Sequence, residues 1–154
     1  MGKINGFTLV ELLAVIVILG IVALVTTPAI LNVVNDSRIK GAEDKAWGII
    51  DAVKLTYAQA QTQSRNNPRT VVLPTTINFA SDDGTQSLGQ SITITGDKPI
   101  SGTITIDEVG FMTAENLVFT GNGRYTCSTN SNGTKMCCKK GTVTITNAAA
   151  DSCS

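Results

Sequence analysis

The sequence predicts an α+β chain: a long N-terminal α-helix followed by a C-terminal antiparallel β-sheet packed on the helix's second half. Three observations predict it. An almost continuous apolar run fills the chain up to Val34. A three- and four-residue spacing of apolar positions then takes over, as on one face of a helix. From Thr70 the pattern changes to short alternating segments separated by Gly, Asn, Asp and Pro, which reads as strands and turns. Helix first and strands after is the segregated α+β layout.

The first element begins after a short polar stretch, 1–6, that carries one cation, Lys3. Apolar residues run from Phe7, broken by Glu11, Thr26, Thr27, Pro28 and Asn32. A run of about 20 apolar residues is long enough to cross a bilayer as a helix. Lys3 would stay on the cytoplasmic side, so everything after Val34 is expected outside. A cleaved secretory signal is a poor alternative, because its apolar core is shorter. An uncleaved signal anchor is the other alternative, and neither accounts for Glu11. A carboxylate in an apolar run is costly to bury and points to a functional pairing; its plainer reading is residence at headgroup level. Pro28 lacks a backbone donor and is expected to kink or locally melt the helix. Gly20 permits close helix approach, although no GxxxG pair accompanies it.

The second part of the helix is amphipathic. Ile39, Ala42, Ala46, Ile49 or Ile50, Val53, Tyr57 and Ala60 share a face, while Asp36, Arg38, Lys40, Glu43, Asp44, Lys45, Asp51 and Lys54 mostly fill the others. Trp47 reads as a packing residue. One helix from about Phe7 to Gln61 would be roughly 80 Å long, ending at the breaker run Ser64-Arg65-Asn66-Asn67-Pro68. The pattern divides the chain into a polar stretch over 1–6, an apolar helix over 7–34, and a head over 35–154. The head comprises the amphipathic helix 35–62 and a sheet over 70–154.

In the sheet, 71–73 is a short extended piece before Pro74. Residues 91–95 and 103–106 alternate and are expected as half-buried strands. Residues 117–119 and 124–126 flank Gly121-Asn122-Gly123, a hairpin candidate. Asn132-Gly133 is a two-residue hairpin turn signal, and 142–146 is expected as the last strand.

The four cysteines are Cys127, Cys137, Cys138 and Cys153. Outside the membrane they are oxidisable. A vicinal Cys137–Cys138 bridge is strained. A two-residue turn at Asn132-Gly133 sets Cys127 opposite Cys138 and leaves Cys137 for Cys153; a one-residue slip exchanges the partners. No C-x₂-C spacing suggests zinc, and no metal or cofactor is expected. Asn132-Gly133-Thr134 and Asn35-Asp36-Ser37 match the N-glycosylation pattern, which arises by chance in short stretches. Arg124, Lys135, Lys139 and Lys140 read either as a DNA-binding patch or as an edge strand guarded by lysines, and the edge reading is preferred.

The residues Gly6-Phe7-Thr8-Leu9-Val10-Glu11-Leu12 resemble the class III signal of type IV prepilins. That resemblance covers about the first 30 residues. It implies the pilin fold, cleavage between Gly6 and Phe7 by a membrane prepilin peptidase, and N-methylation of Phe7. Glu11 matches the family's assembly Glu, and Pro28 falls where many pilins carry a kinking Pro. The resemblance further implies a precursor in the cytoplasmic membrane, then a homopolymeric filament at the cell surface built by pilus assembly machinery. Adhesion, twitching motility, aggregation or DNA uptake would be its tasks. A pseudopilin of a type II secretion or competence system carries the same N-terminus. A signal-anchored surface binding module is an alternative of another class.

Composition narrows the rest. The formal net charge is +0, which gives no general attraction to nucleic acid or anionic surfaces. The chain has no His, so the commonest general base is missing. With no catalytic constellation in view, the expectation is a structural protein, not an enzyme.

Overall fold

A computed structural model describes residues 6–63, 71–121 and 123–153, with all side chains among them except those of 25–29 and 63. The element order is α1 (Leu9–Gln63), β1 (Thr75–Asn78), α2 (Thr85–Leu88), β2 (Ser101–Ile106), β3 (Met112–Phe119), β4 (Tyr125–Thr129), β5 (Met136–Lys140) and α3 (Asn147–Asp151). The chain divides into two compact units, Met1–Ser37 and Arg38–Ser154. The helix-then-sheet layout is the one expected and is consistent with the pilin fold. The breakers expected to end α1, 64–68, lie outside the described residues, as does Asn122.

In the first unit α1 is helical from Leu9, and α1 as a whole runs unbroken through Pro28, so no melted turn is present there. Its described apolar side chains, from Leu9 to Leu24 and from Ile30 to Val34, are exposed. Among the described residues, no helix is long and apolar enough to cross a membrane. The span expected over 7–34 therefore rests on the sequence, whose apolar run is interrupted at Thr26, Thr27 and Pro28 and resumes to Val34.

In the second unit, α1 buries Ala42, Ala46, Ile49, Ile50, Val53, Thr56 and Ala60. These are the three- and four-residue steps of one helical face. Ala42, Ala46, Ile49, Ile50 and Val53 pack with Ile77, Ile104, Ile106, Ala114, Leu117, Phe119 and Cys127 from the sheet, and Trp47 packs at the margin. At about 25 cal/mol per Å² of apolar surface, this face is what holds α1 to the sheet.

The sheet is antiparallel and five-stranded, in the order β1-β2-β3-β4-β5. Two expected strands are not strands. Residues 91–95 lie outside the ladder because β1 occupies the place beside β2, pairing Thr75 with Ile106 and Ile77 with Ile104. Ile92 is instead buried in the core, and its N–H donates to Asp83 O at 2.8 Å. Residues 142–146 also form no strand. They cross the face of β4 that points away from α1, held by side chains in place of a ladder. Thr126 Oγ1 donates to Gly141 O and accepts from Val143 N, Ser128 Oγ donates to Ile145 O, and Ile145 N donates to Asn116 Oδ1. All of β4 is buried as a result. The extended piece 71–73 is irregular, and its Leu73–Pro74 bond is cis.

The turn between β4 and β5 differs as well. It is a loop over 131–134 closed by Asn130 N to Lys135 O at 3.0 Å, not a two-residue turn. Asn130 Oδ1 accepts the N–H groups of Thr134 and Lys135. The left-handed position is taken by Gly133 (φ 56°), and Asn132 has no positive φ. The register is nevertheless the one expected, with Cys127 opposite Cys138. The structure joins Cys127 to Cys138 and Cys137 to Cys153. The second bridge closes a small cluster with Ile145 and Ala150, so it fastens the tail against the sheet.

The segment between β1 and β2 is organised by Asp82, which is buried. Its Oδ1 accepts from Gly84 N and Gln86 N, and its Oδ2 from Ser87 N and the Ser87 hydroxyl. Burial alone would raise its pKa. The Ser87 hydroxyl and the three N–H groups outweigh burial and hold the carboxyl below the usual aspartate range. A depressed folded pKa gives stability that is present above the unfolded value, about 3.9, and lost as pH falls through the folded value. Asp82→Ala is therefore expected to cost about 2 kcal/mol at neutral pH. In urea titrations of the detergent-solubilised chain, the gap between variant and wild type should shrink in acid. A gap that stays constant with pH would contradict this role.

Candidate functional site

Gly6, Phe7 and Thr8 precede α1 outside the helix and are exposed, Phe7 at 86%. The helix starts at Leu9, so Thr8 is its N-cap and Glu11 its third residue. Thr8 Oγ1 accepts from Glu11 N at 3.3 Å, and Glu11 Oε2 accepts from Thr8 N at 2.9 Å and from Thr8 Oγ1 at 2.8 Å. This reciprocal arrangement is a capping box, which satisfies two orphan donors at the helix start. Leu12 N reaches Thr8 O at 3.2 Å. The T-x-x-E spacing announces the box in the sequence, but the apolar run drew the reading of Glu11 toward pairing alone.

The box has two chemical consequences. It fixes where the helix begins, leaving the Gly6–Phe7 bond in exposed chain outside it. It also holds the Glu11 carboxylate beside the N-terminal turn of α1.

Residues 1–27 match the family model described as the prokaryotic N-terminal methylation motif. The N-terminus is that of a type IV pilin-like prepilin. No curated protein and no solved structure shows significant similarity to the chain. The matched stretch covers the polar residues 1–6, the Gly6–Phe7 junction, Glu11 and most of the apolar run. It stops short of Pro28, which lies within α1.

The other candidates from the sequence are dispersed. Arg124, Lys135, Lys139 and Lys140 do not form one patch. Lys135 closes the loop after β4, whereas Lys140 lies opposite Tyr125 at the other end of the hairpin. Lys139 and Lys140 are neighbours in β5 and point to opposite faces. β5 is an edge of the sheet, where exposed lysines discourage pairing with other chains. Among the described residues, no group of His, Cys, Asp or Glu could hold a metal ion.

Proposed function

We propose that this prepilin-like chain is the precursor of a structural subunit of a type IV pilus. A prepilin peptidase cleaves it between Gly6 and Phe7, and Phe7 becomes the methylated first residue. The apolar run over 7–34 holds the precursor in the cytoplasmic membrane and then forms the filament core. The observation that carries the reading is the methylation motif over 1–27, joined to a helix whose described apolar side chains up to Leu24 are exposed. That surface is far larger than soluble monomers tolerate. Lipid covers it first, and the helices of neighbouring copies cover it afterwards.

Glu11 has two roles in this account. It caps the helix of its own chain, and in the polymer it pairs with the Phe7 ammonium of a neighbour. A paired buried charge roughly breaks even, so the pair sets register more than it adds stability. Pro28 supplies a helix position without a backbone donor, where α1 can open during packing.

Fractionation of the native cells tests the reading. The processed chain is expected to be abundant among filaments sheared from the surface. Confinement of the processed chain to membranes would contradict a pilus subunit and favour a pseudopilin.

A further inference from the structure

The two ion pairs among the described residues both start on α1: Lys45 with Asp97, and Lys54 with Asp51 at 3.3 Å. Arg124 and Lys139 have no carboxylate partner among the described residues, and the Arg124 guanidinium donates only to Thr142 Oγ1 at 3.3 Å. The chain is neutral in sum, and few of its described charged side chains are held in ion pairs.

The negative side is a groove of about 620 Å³ in the second unit, between α1 and the segment 93–97. Apolar Ala52, Leu55 and Ile94 line it, with three carboxylates, Asp44, Asp51 and Asp97, against one cation, Lys45. Leu55 is 62% exposed there. Lys45 engages Asp97, which leaves Asp44 without a cation and Asp51 with a solvent-exposed i,i+3 partner of little strength. Burial and the neighbouring Asp44 carboxylate both raise the pKa of Glu43, against an opposing pull from Lys40, in keeping with an excess of negative charge along this flank.

The positive side lies on the β4–β5 hairpin. Thr126 stands opposite Lys139, and Arg124 is two residues before Thr126, so Arg124 and Lys139 are diagonal neighbours on one face. Val143 is exposed beside them, tied to Thr126 Oγ1. The ridge is therefore two cations around an apolar residue, and the groove is two carboxylates beside apolar side chains.

We propose that the groove is the docking site for the Arg124–Lys139–Val143 ridge of a second copy of this chain. The proposal rests on the filament reading and names a contact between heads within it. Groove and ridge are different surfaces, so the contact is heterologous: each copy offers its ridge to the next and keeps its own groove open. Such a contact propagates as an open helical polymer rather than closing as a dimer. Arg124 matches carboxylate geometry with its planar fork, and Val143 covers Leu55 and Ile94.

A charge swap in the full-length chain, expressed in its native cells, tests the docking. Asp44→Lys with Asp51→Lys should lower sheared surface filaments by at least about tenfold. The processed chain in membranes should stay at the wild-type level. Adding Arg124→Glu and Lys139→Glu to the same chain should restore filaments to within about twofold, because the two reversed surfaces again match. Undiminished filaments in the first variant, or no recovery in the second, would overturn the docking while leaving the filament reading intact. A wild-type chain that keeps Met1 and is absent from the sheared fraction would overturn the filament reading, and the docking with it.

Discussion

Glu11→Gln should leave processing at Gly6–Phe7 intact and abolish filament assembly. Glutamine is as good as glutamate at the third position of a capping box, so its carbonyl oxygen can still take the Thr8 donors that Glu11 Oε2 takes now. The helix start, and the presentation of the scissile bond, are therefore preserved. The charge is not. In the filament the neighbour's Phe7 ammonium would be left in a low-dielectric core without its counter-ion. Breaking a buried pair by removing one partner costs about 3–5 kcal/mol, or a drop of at least about 100-fold in the affinity of each added subunit. Glu11→Val should also lose the half of the capping box that the Glu11 carboxylate supplies, with the same loss of filaments. The measurement compares processed subunit in membranes with subunit in the sheared surface fraction. Normal filament yield from Glu11→Gln would reduce Glu11 to a helix cap and remove its registry role.

Gly102→Ala is expected to be the most damaging single change in the head. Gly102 sits at φ 110° where β2 bulges against β3. A Cβ there would lie 2.4 Å from Asn116 O and 2.7 Å from Leu117 Cα. The neighbours are backbone in a paired strand and cannot rotate away. Asn116 is itself at φ 52°, and its side chain accepts from Ile145 N while its N–H donates to Ser128 Oγ. Pushing Asn116 aside also loosens the tail over β4. The left-handed backbone and the overpacking together should cost roughly 3 kcal/mol. Gly41→Ala is the contrast. Its Cβ would meet nothing within 4 Å on the helix α1, and the change should stabilise by about 1 kcal/mol. Urea midpoints of the detergent-solubilised chains decide. Equal midpoints for Gly102→Ala and wild type would contradict the account of the bulge.

How much was legible depended on whether a signal was local. The long helix was readable because its apolar run and its later one-sided spacing are both sequence patterns. Ala42, Ala46, Val53 and Ala60 are buried where that spacing places them. The register of β4 and β5 was readable too, since any symmetric loop around 132–133 keeps Cys127 opposite Cys138. The loop itself was misread because Asn130, three residues before Gly133, supplies the organising side chain. The alternation in 142–146 was real, but it records Ile145 facing inward, not a ladder. Hydroxyls of Thr126 and Ser128 take the backbone partners that a strand would supply. β1 was invisible: four residues with one buried side chain, Ile77, carry almost no pattern. Its arrival beside β2 displaced 91–95, a competition between distant segments that no window of sequence records. At the N-terminus the motif was fully local, and only the capping partner of Glu11 was overlooked.

The central claim is that the chain is cut at Gly6–Phe7 and polymerises. An intact-mass measurement on the protein from sheared surface filaments of its native cells tests it most directly. The account predicts a chain that begins at Phe7, carries one added methyl group, and retains both disulfides. A surface protein that still carries 1–6 would contradict it, and would leave a signal-anchored domain in place of a filament subunit.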